Sequence, residues 1–164
     1  KSESKYFRFQ IKRVGRANPA PHEGSPGLLS SRANTSASLV LLGFGDGEKF
    51  DLDAASSILD ELVADVAANC FNRPRLVWYT ADARHDQRYP WQTISRVVAY
   101  NSAMVERLQA QRPPFPPPYD VPVPILDLYN MTARRRSRDG THYYRDTNEL
   151  KVQLLLQFLS HLTR

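Results

Sequence analysis

Apolar and polar residues alternate from Tyr6 to Val14, where Arg8, Gln10 and Lys12 separate Phe7, Phe9 and Ile11. A period of two predicts a strand with one wet face, near a sheet edge. Leu39-Val40-Leu41-Leu42 is uniformly apolar, the pattern of a strand buried on both faces of a parallel sheet, and it stops at Gly43-Phe44-Gly45-Asp46-Gly47. Ala54, Ala55, Ile58, Leu59, Leu62, Val63, Val66 and Ala67 then recur at three- and four-residue spacing. They predict a helix with Asp51 or Asp53 as its N-cap. Leu76 to Thr80 predicts another strand, followed by a polar loop over Asp82–Pro90. Ile94, Val97, Val98, Asn101, Met104, Val105 and Leu108 form the stripe of a helix from about Trp91 to Gln109. The next strand falls within Val121–Leu128 and a basic loop spans Asn130–Thr141. A last helix covers Asp146–Leu162, with Leu150, Leu154, Leu155, Phe158, Leu159 and Leu162 inward and a capping box between Asp146 and Glu149. Strand, strand, helix, strand, helix, strand, helix is the order of an α/β layered domain with a mostly parallel sheet.

Composition sharpens this reading in three places. The 164 residues suit a single domain, 1–164, and twelve prolines against seven glycines point to long, stiff connections. Residues 15–37, with Asn18-Pro19, Pro21, Ser25-Pro26-Gly27 and His22, read as a long loop, and residues 112–120 as a Pro-rich connector that ends the second helix. No stretch reaches the roughly 18 to 20 apolar residues of a membrane span. The single cysteine, Cys70, reads as a buried thiol; it excludes an internal disulfide and a Cys-based zinc cage, and no cofactor is called for. The net charge of +5 suits an anionic partner. Nucleic acid is disfavoured, because no aromatic-interleaved RNA motif and no DNA-reading helix accompanies it. Asn34-Thr35-Ser36 and Asn130-Met131-Thr132 would accept glycans, which tilts the compartment towards the secretory lumen.

In a parallel sheet the ligand sits outside the carboxyl ends of the strands, so the chemistry belongs in the loops after Leu42, Thr80 and Leu128. The first is glycine-rich but lacks the spacing of a dinucleotide or phosphate-binding motif. The second carries Asp82, Arg84, His85 and Asp86, which read as a solvated polar cluster. The third ends in Asp139-Gly140-Thr141-His142. A carboxylate bonded to one imidazole nitrogen fixes the tautomer and leaves the other nitrogen to take a proton from a serine hydroxyl. A turn aspartate beside a surface histidine gives the same spacing; the buried strand before it and the helix after it favour the dyad. Arg134, Arg135, Arg136 and Arg138 stand beside it and could hold an anion or contact a protein partner, as could the Pro-rich segment.

Asp139-Gly140-Thr141-His142-Tyr143, with Leu126-Asp127-Leu128 before it and Leu150 to Leu156 after it, resembles the last block of the SGNH or GDSL hydrolases. It most resembles their PC-esterase branch of carbohydrate O-acetyltransferases and esterases. Leu39 to Asp46 occupies the place of the block that ends its strand in Gly-x-Asn-Asp, and Ala99-Tyr100-Asn101-Ser102-Ala103 is similar to the helix between blocks. The resemblance covers about residues 38 to 162. It implies a flavodoxin-like three-layer α/β/α sandwich in which His142 is the base, Asp139 orients it, and a serine attacks an acyl ester of a carbohydrate or related molecule. The family's Gly-Asp-Ser motif does not occur in this chain. The resemblance therefore places the serine, and the first strand, upstream of Lys1, so that the domain is N-terminally incomplete and Tyr6–Val14 corresponds to the family's second strand. Gly45 stands where the family has an oxyanion-binding asparagine, which makes Gly43, Gly45 and Asp46 the oxyanion-hole candidates. Two alternatives share the fold: a catalytically inactive scaffold or accessory subunit, and a module that binds a phosphorylated small molecule.

Overall fold

The computed structural model describes residues 39–69, 74–85, 89–110, 113 and 115–162. The strand expected at Tyr6–Val14, the 15–37 loop, His22, Asn34, Cys70 and Asp86 lie outside the described residues.

Three strands form one parallel sheet in the order β1 (Leu39–Leu42), β2 (Arg75–Tyr79), β3 (Ile125–Leu126). Leu39 lies opposite Arg75 and Leu42 opposite Trp78, while Trp78 and Tyr79 lie opposite Ile125 and Leu126. The connections are the helices α1 (Leu52–Asn69) and α2 (Ile94–Gln109); the short α3 (Leu128–Thr132) and the long α4 (Arg145–Leu162) follow β3. The result is an α/β fold with a parallel three-stranded sheet, compatible with a three-layer sandwich.

The strand alternation sorts the sheet residues to two faces. Leu42, Leu76 and Trp78 join one core cluster with Ala55, Leu59, Leu62, Val63 and Val66 of α1 and Val97, Tyr100, Met104 and Leu108 of α2. Val77, between Leu76 and Trp78, is also fully buried. Each such Val, Leu or Met side chain contributes about 1.5–3 kcal/mol on leaving water. The chain between α2 and β3 is no mere connector: Phe115, Tyr119 and Val123 belong to the same core, and the Tyr119 hydroxyl donates to the Pro74 carbonyl at 3.0 Å.

Several expectations are corrected. The third strand is two residues long and not eight, because Pro122 and Pro124 have no N–H to donate; Pro124 still accepts from Trp78 N at 2.9 Å. Helix α2 begins at Ile94 and not near Trp91, since the Thr93 side chain caps it through Arg96 N. Its inward face holds Tyr100, while Ile94 and Val98 are exposed. Asp51, and not Asp53, caps α1 by accepting from Ala54 N. The capping box at α4 does not form: Asp146 lies within the first turn, and Glu149 instead pairs with Arg145 at 2.7 Å. Of the leucine stripe on α4 only Leu159 is buried, the rest being half-buried. Strand β1 is likewise half-buried over Leu39–Leu41 and lies at an edge of the described sheet.

Candidate functional site

The loops that leave the carboxyl ends of β1, β2 and β3 converge because buried polar groups tie them together. Asp46, after β1, accepts from Gln92 Nε2 at 2.9 Å and pairs with Arg84 Nη2 at 3.5 Å. Arg84, after β2, donates through Nη1 to the Thr141 carbonyl at 3.4 Å, inside the Asp-x-x-His segment. One guanidinium thus spans all three loops. Arg84 is 8% exposed, so the expected solvated cluster is instead a buried junction. Asp82 departs in the same way, paired with Lys151 of α4 at 2.5 Å. His85 remains exposed, with its N–H on the Gly140 carbonyl at 3.3 Å and its Nε2 3.2 Å from the Thr132 carbonyl.

Two residues to which sequence reasoning gave no part in the site hold the third loop in place. Thr132, fully buried at the end of α3, accepts from Ala83 N at 2.9 Å and donates back to Leu128 O at 2.7 Å. Tyr143 is buried, and its hydroxyl donates to the Ala83 carbonyl at 2.6 Å under the Lys151 ammonium, which lies 4.6 Å from the ring. Burial raises the Tyr143 hydroxyl above the ordinary tyrosine value, which favours the protonated, donating form. Its place directly after His142 was the available signal. Helix α3 takes the end of the expected strand and the start of the expected basic loop; Asp127 caps it through Asn130 N.

On this base stands the dyad. Ser137 and Tyr143 form an antiparallel bridge, and Arg138 N donates to the His142 carbonyl at 2.6 Å, so residues 137–143 make one tight turn. Gly140 turns it with φ 79°, a left-handed conformation that suits glycine. Within the turn His142 Nδ1 lies 2.7 Å from Asp139 Oδ2, and Asp139 Oδ1 accepts from the N–H groups of His142 and Thr141 at 2.7 and 3.1 Å. A carboxylate only accepts, so Nδ1 carries the hydrogen and Nε2 of the neutral ring is the free base. The His142 side chain is 72% exposed. Comparison of the chain with family models, curated proteins and solved structures returned no match.

The glycine-rich loop is committed differently from the expectation placed on it. The N–H of Gly45 donates to Glu48 Oε2 at 2.9 Å, and its carbonyl accepts from Phe50 N at 2.6 Å. The Gly43 carbonyl accepts from Tyr79. Gly45, at φ 145°, is buried where a Cβ would stand 2.9 Å from the Tyr100 ring. Asp46 is a carboxylate already accepting two bonds. In this arrangement neither the Gly45 N–H nor the Asp46 carboxylate presents a spare donor to an oxyanion, and both instead stabilise the loop. Arg134, Arg135, Arg136 and Arg138 are all exposed. Among the described residues no cluster of three His, Cys, Asp or Glu side chains is placed to hold a metal ion, and no helix is long and apolar enough to cross a membrane.

The bond from the His142 ring holds the Asp139 carboxyl well below the usual carboxylate range, helped by the backbone N–H groups of His142 and Thr141 against a smaller desolvation. Because the folded value lies below the unfolded one, this interaction contributes fully above the ordinary range near pH 4. It is lost only as pH falls further, towards the folded value. The expected NMR titration of the Asp139 carboxyl is therefore still incomplete at about pH 3, where ordinary aspartates are mostly protonated. In His142→Ala it returns part of the way, the two backbone bonds remaining. An unchanged curve in His142→Ala would show that the ring is not what holds the carboxyl.

Proposed function

We propose that the chain carries the acid–base half of an acyl-transfer site of the SGNH/PC-esterase type, acting on an acyl ester of a carbohydrate or a related molecule. The observation that supports this reading is the 2.7 Å Asp139–His142 pair on a loop at the carboxyl end of a parallel sheet. In the proposed reaction a serine hydroxyl, which the family places upstream of Lys1, gives its proton to His142 Nε2 while its oxygen bonds to the acyl carbon. The proton then passes to the leaving alkoxide as the ester C–O bond breaks. Water or a sugar hydroxyl, deprotonated by the same nitrogen, next attacks the acyl carbon; the acyl–serine C–O bond breaks and Nε2 returns the proton to the serine oxygen, giving hydrolysis or acyl transfer. Asp139 stays ionised throughout and stabilises the imidazolium.

The test is fluorophosphonate labelling of the full-length protein, with the labelled peptide identified by mass spectrometry. Labelling of one serine, lost in a folded His142→Ala variant, supports acyl transfer. A folded full-length protein that takes no label, or labels equally in His142→Ala, overturns it in favour of the inactive scaffold. The engaged Gly45 N–H is the feature that fits the scaffold.

A further inference from the structure

The arginine run does not simply trail into solvent. Arg134, Arg135 and Arg136 line a cavity of about 390 Å³ together with Tyr144, Asp146 and Thr147 of the first turn of α4 and the residue before it. That volume lies within the usual range for small-ligand sites, about 300–1,000 Å³. Three arginines and one aspartate are among the lining residues, and Asp146 Oδ1 is already occupied by the Thr147 N–H at 2.7 Å and the Thr147 hydroxyl at 3.4 Å. None of the three guanidinium groups has an ion pair or hydrogen bond among the described residues. The cavity therefore holds excess positive charge in a form suited to forked, bidentate bonds with a planar or tetrahedral anion.

Its position relative to the dyad follows from the Ser137–Tyr143 bridge. One step on one side of that bridge lie Arg136 and Tyr144, which line the cavity; one step on the other side lie Arg138 and His142, joined by a backbone bond. All four are exposed, whereas Tyr143 between His142 and Tyr144 is buried. Tyr144 is two residues from His142, so their Cα atoms lie no more than about 7 Å apart. An oligosaccharide can reach both places at once.

We propose that the Arg134–Arg135–Arg136 cavity is a subsite for the acidic group of an acidic saccharide, whose acyl ester is thereby brought to His142. The clause that makes the saccharide a substrate rests on the acyl-transfer reading above; the anion subsite itself does not. Tyr144 supplies the exposed aromatic wall on which a sugar ring packs, and the arginines select a carboxylate or sulfate over a neutral ring. Arg138, outside the cavity, stands on the dyad side.

Calorimetric titration of the full-length protein tests this with an O-acetylated uronic-acid tetrasaccharide, its neutral hexose counterpart and inorganic phosphate. The acidic tetrasaccharide is expected to bind at least about 10-fold more tightly than the neutral one, and to lose that advantage in a double variant, Arg135→Gln with Arg136→Gln. Added salt weakens the acidic ligand alone. Equal affinity for acidic and neutral saccharides, or an advantage kept in the double variant, overturns the subsite. Phosphate binding as tightly as the tetrasaccharide overturns the saccharide assignment. Fluorophosphonate labelling is read separately: arginine-dependent binding without any labelling upholds the subsite and fails the acyl-transfer reading.

Discussion

On the proposed acyl-transfer reading, Asp139→Asn is expected to lower turnover of an activated acyl ester by the full-length protein by about 10⁴-fold while leaving the fold unchanged. The two side chains have nearly the same shape, and an asparagine oxygen at the Oδ1 position keeps accepting from the N–H groups of His142 and Thr141. The turn that carries the dyad is thus preserved. What changes is the atom facing His142 Nδ1, an acceptor now and an amide donor in the variant. Nδ1 must then become the acceptor, which moves the ring hydrogen to Nε2 and removes the lone pair that would take the serine proton. The opposing negative charge for the imidazolium is lost at the same time. The measurement is kcat/KM beside a thermal unfolding curve. A variant that unfolds as the unaltered protein does yet turns over within about 10-fold of it would remove Asp139 from the mechanism.

The residues that make this prediction possible were legible in the sequence for a local reason. Asp139 and His142 are three positions apart, and a tight turn is enough to bring them together. Strands β1 and β2 and helix α1 were legible because uniform apolar runs and a 3.6-residue period survive any tertiary arrangement that buries them. The junction beneath the dyad was not. Arg84 reads as solvent-facing in a polar loop, and only the fold brings it between Asp46 and Thr141, which lie 38 positions before it and 57 after it. Thr132 was hidden in the same way, as its partner Ala83 is 49 positions away. Strand β3 was overcalled because apolar composition was weighed without the N–H groups that Pro122 and Pro124 lack. The inward stripe expected on α4 is only partly covered: Leu159 is buried and its other members are half-buried. Periodicity shows which face is apolar, not how much of it finds a partner.

Replacing Trp78 by alanine is expected to destabilise the fold by about 3–5 kcal/mol, a large share of the roughly 5–15 kcal/mol typical of a domain. Trp78 is fully buried in the central strand, between Leu42 on one side and Ile125 on the other. Phe44 meets its ring edge-on at 5.0 Å and 82°, so the void opens beneath the glycine-rich loop. Trp78→Phe separates packing from hydrogen bonding. The indole N–H is buried without a hydrogen-bond partner among the described residues. Removing it relieves a desolvated donor worth about 1–3 kcal/mol and offsets the lost volume, so the phenylalanine variant is expected within about 1.5 kcal/mol of the unaltered protein. Urea unfolding followed by circular dichroism measures both, since the substitution removes one of two tryptophan reporters. A phenylalanine variant as unstable as the alanine one would mean that the N–H is paired after all. Hydrogen exchange then follows the damage to the site: in Trp78→Ala the Phe50 amide, bonded to the Gly45 carbonyl at 2.6 Å, exchanges faster as the turn that carries Asp46 loses its support.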